Sequence, residues 1–180
     1  MLDLTHDLGV PVIAAMLLDA AGRLLALGFG CKAEYDQAAA SAYLEMCQME
    51  LSIDLARQRV GRAGDAANVD DRRLLAWMSE ADPRRFPHLV PDPHAKPAHC
   101  HAEQTIADVI ARLRAAGLSA YGLNLRRPDI GIPAMRVFVP GLCHFKPRLG
   151  HARLVEVPKR LGWRDADFSS EDMSIVPLLI

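Results

Sequence analysis

Two short runs of apolar residues stand close together near the start of the chain, at residues 11–18 and 23–29. The segment Ala20-Ala21-Gly22 separates them, and this arrangement predicts two strands joined as a hairpin. Because both runs are apolar on both faces, we expect the strands to be covered on each side. Gly28-Phe29-Gly30 then interrupts the pattern and is expected to end the second strand.

The apolar positions that follow are spaced as in helices. Residues 36–59 are rich in Ala, Leu, Met and Gln and predict a long helix that Asp36 would cap. Its apolar residues occupy most of the circumference, so we expect burial on several sides. A polar loop is predicted at 61–68 and a short helix at 70–80. A third helix is predicted at 105–116 and ends before Gly117.

Prolines and glycines divide the rest of the chain. Five prolines within residues 82–97 argue against regular structure there. Strands are predicted at 120–125 and 134–139, on either side of a Pro/Gly turn, and residues 144–180 are expected to form an irregular tail. The resulting order predicts an α/β (α+β) fold, with a mixed sheet, a long buried helix and flanking helices. The length of 180 residues fits a single domain over residues 1–180.

Composition and charge narrow the possible partners. The net charge of −1 provides no field that attracts nucleic acid or anionic lipid. No apolar run approaches the roughly 18 residues that span a bilayer. The first residues carry no basic segment of a signal peptide, so we expect a cytoplasmic protein without membrane or nucleic-acid partners. The four cysteines form no C-x-x-C pair and are expected to be free thiols.

The long predicted helix carries a narrow polar stripe. At 3.6 residues per turn, Ser41, Glu45, Gln48 and Ser52 fall within an arc of about 60°. One interpretation is that the stripe simply faces solvent. The other is that it lines a cleft in which Glu45 binds Mg²⁺ and Gln48 donates to a phosphate or orients a water.

Other candidate chemistry is weaker. A zinc site could only be built by tertiary contact between two distant segments, His99-Cys100-His101 and Cys143-His144, and a polar loop is the simpler interpretation. Cys47 lies in the long helix and is expected to be a small buried residue rather than a nucleophile. The sequence contains no G-x-S-x-G, P-loop or H-E-x-x-H motif, so the corresponding mechanisms lack support.

Several segments, in order, match motifs of one family. They are DLTHDLGVPV at residues 3–12, GFG at 28–30, the A-x-x-x-A-x-x-E-x-x-Q spacing of Ala38, Ala42, Glu45 and Gln48, RPDIGIP at 127–133, and RVFVPGL at 136–142. Further short matches continue from His144-Phe145 to Leu161-Gly162-Trp163. In this order and spacing the chain resembles the C-terminal part of the YcaO family, in its peptide cyclodehydratase branch.

This resemblance implies ATP- and Mg²⁺-dependent modification of a ribosomally made precursor peptide. In that branch a Cys, Ser or Thr side chain attacks the preceding backbone carbonyl, ATP phosphorylates the oxyanion, and loss of phosphate leaves an azoline ring. The resemblance makes Glu45 a ligand of Mg²⁺ or the nucleotide, Gln48 its partner on the same helix face, and Arg136 a phosphate contact. Without the resemblance, Arg136 would be interpreted as a strand arginine that faces solvent or pairs with Asp129.

The chain also departs from the family pattern. A family helix with the pattern S-x-x-x-E-x-x-E-R, which supplies further nucleotide ligands, is absent and would lie before Met1. Asn124 stands where the family often has Asp, and the proline-rich terminus is reduced to the residues 176–180. Expected partners are therefore the precursor peptide, a leader-peptide-binding protein, and an N-terminal YcaO half or homodimer partner. The alternatives are an incomplete YcaO fragment with a scaffold role, and a thioamidation or methylthiotransferase-accessory role.

Overall fold

The structure is a computed structural model that describes residues 1–80, 82–83, 104–143 and 152–162. It confirms the α/β class, with small antiparallel sheets and four helices. The elements are β1 (Leu2–Asp3), β2 (Val12–Leu18), β3 (Leu24–Cys31), α1 (Tyr35–Ala63), a 3₁₀ turn (Gly64–Ala66), α2 (Val69–Glu80), α3 (Ile106–Ala115), β4 (Tyr121–Asn124), β5 (Met135–Phe138) and α4 (Ala152–Arg160). The chain, predicted as a single domain, groups into two compact units, which are described separately below.

The first unit contains the predicted hairpin. Strands β2 and β3 pair antiparallel, and β1 adds to the other edge of β2. The Asp19 carboxylate shapes the turn, because it accepts the backbone N–H groups of Ala21 and Arg23 at 2.8 and 2.9 Å. These bonds, led by that from the Arg23 backbone, lower the pKa of Asp19. Gly22 completes the turn at φ +78°, a region that favours glycine.

Strand β3 continues to Cys31, so the prediction that Gly28-Phe29-Gly30 ends it is wrong. Both glycines are buried on the face that α1 covers, and their missing side chains let the helix lie close to the strand. Here the glycines mark a close approach of two backbones rather than a break in the strand.

Helix α1 is longer than predicted. It begins after Glu34, which makes no side-chain cap, so the prediction that Asp36 caps the helix is wrong. Asp36 lies in the first turn instead, where the helix dipole favours a negative charge. The helix runs past Gly61 to Ala63, and a 3₁₀ turn follows, so the loop predicted at 61–68 is largely helical.

The sheet side of α1 forms the core of the first unit. Ala38, Ala42 and Met46 pack on the strand residues Ile13 and Ala26. A second cluster joins Leu24, Ile53, Trp77 and Met78, and brings α2 against the end of the hairpin. Burial on several sides of α1 was expected, but its opposite face exposes four large apolar side chains, Tyr43, Leu44, Leu51 and Leu55.

The second unit contains residues 7–9 and 105–173. Helix α3 begins with a reciprocal capping box between Thr105 and Asp108, and Gly117, at φ +74°, follows its end as predicted. Its buried side packs Leu113 against Leu8 and Leu118. The two strands predicted on either side of the Pro/Gly turn, β4 and β5, pair antiparallel, and all eight of their residues are exposed.

The tail predicted to be irregular contains helix α4. Its Arg153 donates to the Asp7 carboxylate at 2.7 Å, and Arg160 also pairs with Asp7. The carboxylate is only 8% exposed, so this ion pair fixes residues 7–9 to α4 within the second unit. Of the proline-rich segment at 82–97, only residues 82 and 83 belong to the described residues.

Candidate functional site

A cleft of about 330 Å³ lies in the first unit between α1, β3 and α2. The lining residues are Leu27, Phe29, Glu45, Gln48, Met49, Ser52 and Leu74. Three of the four residues of the predicted polar stripe therefore border one cavity, and Ser41 does not. The stripe thus borders a cleft, while Gln48 and Ser52 are also exposed to solvent.

Glu45 is the only carboxylate among the residues that line this cleft. Its side chain is half-buried, and its Oε2 accepts the backbone N–H of Phe29 at 2.6 Å. Strand β3 is an edge strand of the described sheet, so an N–H that does not bond to β2 can be satisfied by a helix side chain. The second oxygen, Oε1, has no hydrogen-bond partner among the described residues. One oxygen is thus fixed, and the other is available to a ligand.

Gln48 and Ser52 follow Glu45 on the same face of α1. The Ser52 hydroxyl donates to the Gln48 carbonyl at 2.9 Å, so its proton is occupied by the helix backbone. The Gln48 side chain is exposed, and its amide has no hydrogen-bond partner among the described residues. It can donate to a phosphate or accept from a water, as the stripe hypothesis requires.

Arg136 lies in the second unit, on the exposed strand β5, and is not among the residues lining the cleft. Its guanidinium stacks over the Phe138 ring, 5.9 Å from the ring centre. Pairing with Asp129 was one alternative, but Asp129 pairs instead with Arg127 at 2.6 Å. Arg136 makes no ion pair within the part of the chain that the structure describes.

The cleft fits part of an ATP and Mg²⁺ site. Mg²⁺ in nucleotide sites is held by one or two carboxylates plus phosphates and waters, so Glu45 suffices as one ligand. The apolar walls of Leu27, Phe29, Met49 and Leu74 suit a ring or other apolar moiety, and the volume lies at the lower end of the roughly 300–1,000 Å³ of ligand pockets. No Lys or Arg is among the described lining residues, so the triphosphate charge must be balanced elsewhere.

A zinc site finds no support in the described residues. Among them no group of three or more His, Cys, Asp or Glu side chains could hold a metal. Cys143 is an exposed free thiol, whereas His99, Cys100, His101 and His144 lie outside the described residues. Cys31 and Cys47 are also free thiols, and Cys47 is half-buried beside the α1–sheet core.

With this geometry in place, comparison with known proteins decides the family. A family model described as YcaO cyclodehydratase, ATP- and Mg²⁺-binding, matches residues 1–143. The chain belongs to the YcaO family. No curated protein sequence matches it. Two of the YcaO motifs can now be placed in the structure. The GFG segment lies within strand β3, and the RPDIGIP segment connects β4 to β5.

Two solved structures that the chain resembles are described as heterocyclases. One is described as "Heterocyclase in complex with substrate and Cofactor". It shares 30% sequence identity with this YcaO chain, the match covers 98% of this chain, and the TM-score is 0.78. Another, the heterocyclase TruD, shares 27% identity over 99% of it, also with a TM-score of 0.78. The chain covers only 24% of each of these proteins.

Sequence reasoning did not identify the Phe29 backbone N–H as a site group, nor Leu27, Met49 and Leu74 as the apolar wall. One signal was available, for the close approach of α1 to β3. Glycines at alternate positions of a strand indicate a backbone approach on one face, although they do not show which N–H meets the helix. Leu74 belongs to α2, and no local pattern indicates that a separate helix closes this cleft.

Proposed function

We propose that this YcaO chain forms part of an ATP- and Mg²⁺-dependent enzyme that cyclises Cys, Ser or Thr residues of a ribosomal precursor peptide to azolines. The observation that carries the proposal is the Glu45 carboxylate, fixed by the Phe29 N–H at 2.6 Å at the edge of a cleft with apolar walls. The YcaO family match and the heterocyclase neighbours support the same reaction class.

Residues of this chain would bind the metal ion and orient the phosphates. Glu45 would hold the metal through Oε1, and Gln48, one turn further, would donate to a phosphate oxygen. The apolar walls would exclude water and so strengthen the electrostatic contacts inside the cleft. Bound ATP supplies the phosphoryl group that makes the amide oxygen a good leaving group.

Arg136 would contribute a positive charge to the phosphates, as the family resemblance implies. The exposed, planar guanidinium has no ion pair among the described residues and suits bidentate contact with phosphate. The described lining of the cleft contains no Lys or Arg, and Arg136 is the cation that the family resemblance supplies.

The partners follow from the same proposal. A precursor peptide is the substrate, and a leader-peptide-binding protein would present it in the cytoplasm. Since the chain covers about a quarter of the two heterocyclases, we propose that further YcaO polypeptide, either an N-terminal half or a homodimer partner, completes the nucleotide site. No helix in the described ranges has the length and apolar character needed to cross a membrane.

The test is a reconstitution followed by mass spectrometry. The chain is incubated with ATP, Mg²⁺ and a candidate precursor, with and without the proteins encoded beside it. The expected product has lost one water for each ring, and Glu45→Gln should abolish that loss. Glu50→Gln, at an exposed position of the same helix outside the cleft lining, should retain it. Equal product from both variants would contradict the proposal.

A second candidate function is a YcaO subunit that binds or scaffolds without catalysing. It is favoured by the single carboxylate and the lack of a cation among the described lining residues. In the reconstitution it predicts peptide binding without any mass change. Thioamidation predicts instead a product in which sulfur replaces oxygen. A methylthiotransferase-accessory role predicts no change in the peptide.

A further inference from the structure

The contact between β3 and α1 leaves no space for a side chain at two glycines. A Cβ atom on Gly28 would lie 2.2 Å from the Met46 backbone nitrogen and 2.3 Å from the Ala42 carbonyl oxygen. The clash is with helix backbone, which cannot rotate away as a flexible side chain can. Moving from 2.2 Å to an ordinary contact of 3.4 Å requires a local displacement of about 1.2 Å.

This clash would fall beside the candidate metal ligand. The carbonyl carbon of Glu45 itself is 2.9 Å from the point that a Cβ atom on Gly28 would occupy. The next strand residue, Phe29, donates its N–H to the Glu45 carboxylate at 2.6 Å. A hydrogen bond this short weakens steeply when its atoms are pulled apart by an ångström. The distance between strand and helix at Gly28 therefore decides whether the carboxylate is held.

We propose that Gly28 is a positioning residue for Glu45. By allowing α1 to approach the strand, it brings the Phe29 N–H onto Oε2 and leaves Oε1 free for a divalent cation. The proposal rests on the proposed function, in which Glu45 binds Mg²⁺ with the nucleotide. It extends that function because the GFG segment would position the Glu45 carboxylate in addition to packing against α1.

Gly30 provides a matched control. A Cβ atom there would lie 1.9 Å from the Ala38 carbonyl oxygen and 2.8 Å from the Ala42 nitrogen, a clash with the same helix. These atoms belong to residues seven and three positions before Glu45, whereas the clash at Gly28 includes the backbone of Glu45 itself. Gly30→Ala should therefore disturb packing as much as Gly28→Ala does, but mainly one to two turns before the carboxylate.

The experiment measures ATP affinity by calorimetry, with Mg²⁺ and with a chelator, for the wild type and variants of the 180-residue chain, each together with the neighbouring encoded proteins used in the reconstitution. We expect Glu45→Gln, Gly28→Ala and Phe29→Pro each to weaken the Mg²⁺-dependent part of the affinity by about 10–100-fold, as is typical when the support of a metal ligand is removed. Phe29→Pro removes the N–H donor together with the Phe29 ring that lines the cleft, and Phe29→Ala, which removes the ring but keeps the N–H, is its control. Gly30→Ala should lose thermal stability but keep the Mg²⁺ dependence.

A spectroscopic readout tests the positioning directly, without nucleotide. The Phe29 amide proton, in a short bond to a carboxylate, should resonate downfield in the wild type and in Gly30→Ala. It should move upfield in Gly28→Ala and in Glu45→Gln.

The proposal is overturned if Gly28→Ala and Gly30→Ala lose Mg²⁺ dependence equally, or if Phe29→Pro retains it. Should Gly28→Ala not fold, Phe29→Pro decides. Failure of the proposed function has a different signature, in which Glu45→Gln binds Mg²⁺ and ATP as the wild type does.

Discussion

The α1–β3 contact of the first unit and the β4–β5 hairpin of the second both carry segments that match the YcaO family, yet they differ in burial. In the first, Ala38, Ala42 and Gly30 are fully or almost fully enclosed between helix and strand. In the second, Ile132, Met135 and Val137 are 61–69% exposed. The same family resemblance therefore has a packing explanation in one region and none in the other.

The difference shows what packing within a unit can account for. Small residues of the first motif are required by the distance between two backbones, and the same contact places Glu45. In the hairpin segment, glycine at φ +72° explains the turn at Gly131, but the large apolar side chains around it are mostly exposed in the described part of the second unit. The packing of the described residues therefore gives no reason for their apolar character.

Two isoleucines test this contrast most strongly. Ile13 is completely buried and Ile132 is 65% exposed. Ile13→Ala removes core packing and should lower the free energy of unfolding by about 3 kcal/mol, whereas Ile132→Ala should change it by less than about 0.5 kcal/mol. Chemical denaturation of both variants measures the difference. A similar cost at both positions would show that the hairpin is packed after all.

The second unit nevertheless has one buried polar contact, between Asp7 and α4. Asp7→Ala leaves Arg153, whose side chain is 15% exposed, without its carboxylate, and should cost about 3 kcal/mol. Asp54→Ala is the matched control, because its pair with Arg57 is more than half exposed, and it should cost less than about 0.5 kcal/mol. Equal costs in denaturant titrations would contradict the assigned burial of Asp7.

The capping box of α3 provides a further test of stability in the second unit. Thr105→Ala removes the acceptor of the Asp108 N–H and should cost about 1 kcal/mol. Thr105, through its side chain first and its backbone N–H second, lowers the pKa of Asp108 in the folded state.

A lowered folded pKa stabilises the fold at pH values above the unfolded pKa, and this stabilisation is lost as the pH falls through the folded value. The stability difference between wild type and Thr105→Ala should therefore narrow below about pH 4. Denaturation series at several pH values check this, and a difference that widens in acid would contradict it.

The smallest effect is expected at Gly61, and it has the opposite sign from that at Gly28. A Cβ atom at Gly61 would meet nothing within 4 Å, and the residue lies in the last turn of α1. Gly61→Ala should therefore raise the free energy of unfolding by about 0.5–1 kcal/mol. A rise in Tm for Gly61→Ala alongside a fall for Gly28→Ala would separate helix propensity from steric exclusion. A fall for both would refute the distinction.

Sequence patterns were sufficient to predict the β2–β3 hairpin, the two strands β4 and β5, and the three helices before residue 117. For the first hairpin and the helices, the apolar spacing reflects local burial. The errors occurred where tertiary contact overrides a local rule. Taken alone, Gly28 and Gly30 suggest that the strand ends, yet both lie within β3 and pack against helix α1. Asp36 suggests a helix cap, but α1 begins one residue earlier, at Tyr35.

The candidate site was predictable only in part. The stripe of Glu45, Gln48 and Ser52 could be found on one helix, because it depends on angular spacing alone. The Phe29 N–H and the Leu74 wall could not, since they depend on how α1 meets β3 and α2. Helix α4 was missed because its few apolar positions lie in a short segment with Pro158, a residue that argues against a helix interior.

The most direct test of the central claim locates the metal itself. Mn²⁺ accepts the same oxygen ligands as Mg²⁺ and broadens the NMR signals of nearby nuclei. In the presence of ATP, Mn²⁺ should broaden the amide signals of Phe29, Gln48 and Leu74 in the wild type and leave them sharp in Glu45→Gln. Broadening that is absent from the cleft, or unchanged by Glu45→Gln, would contradict the assignment of this cleft as the metal and nucleotide site.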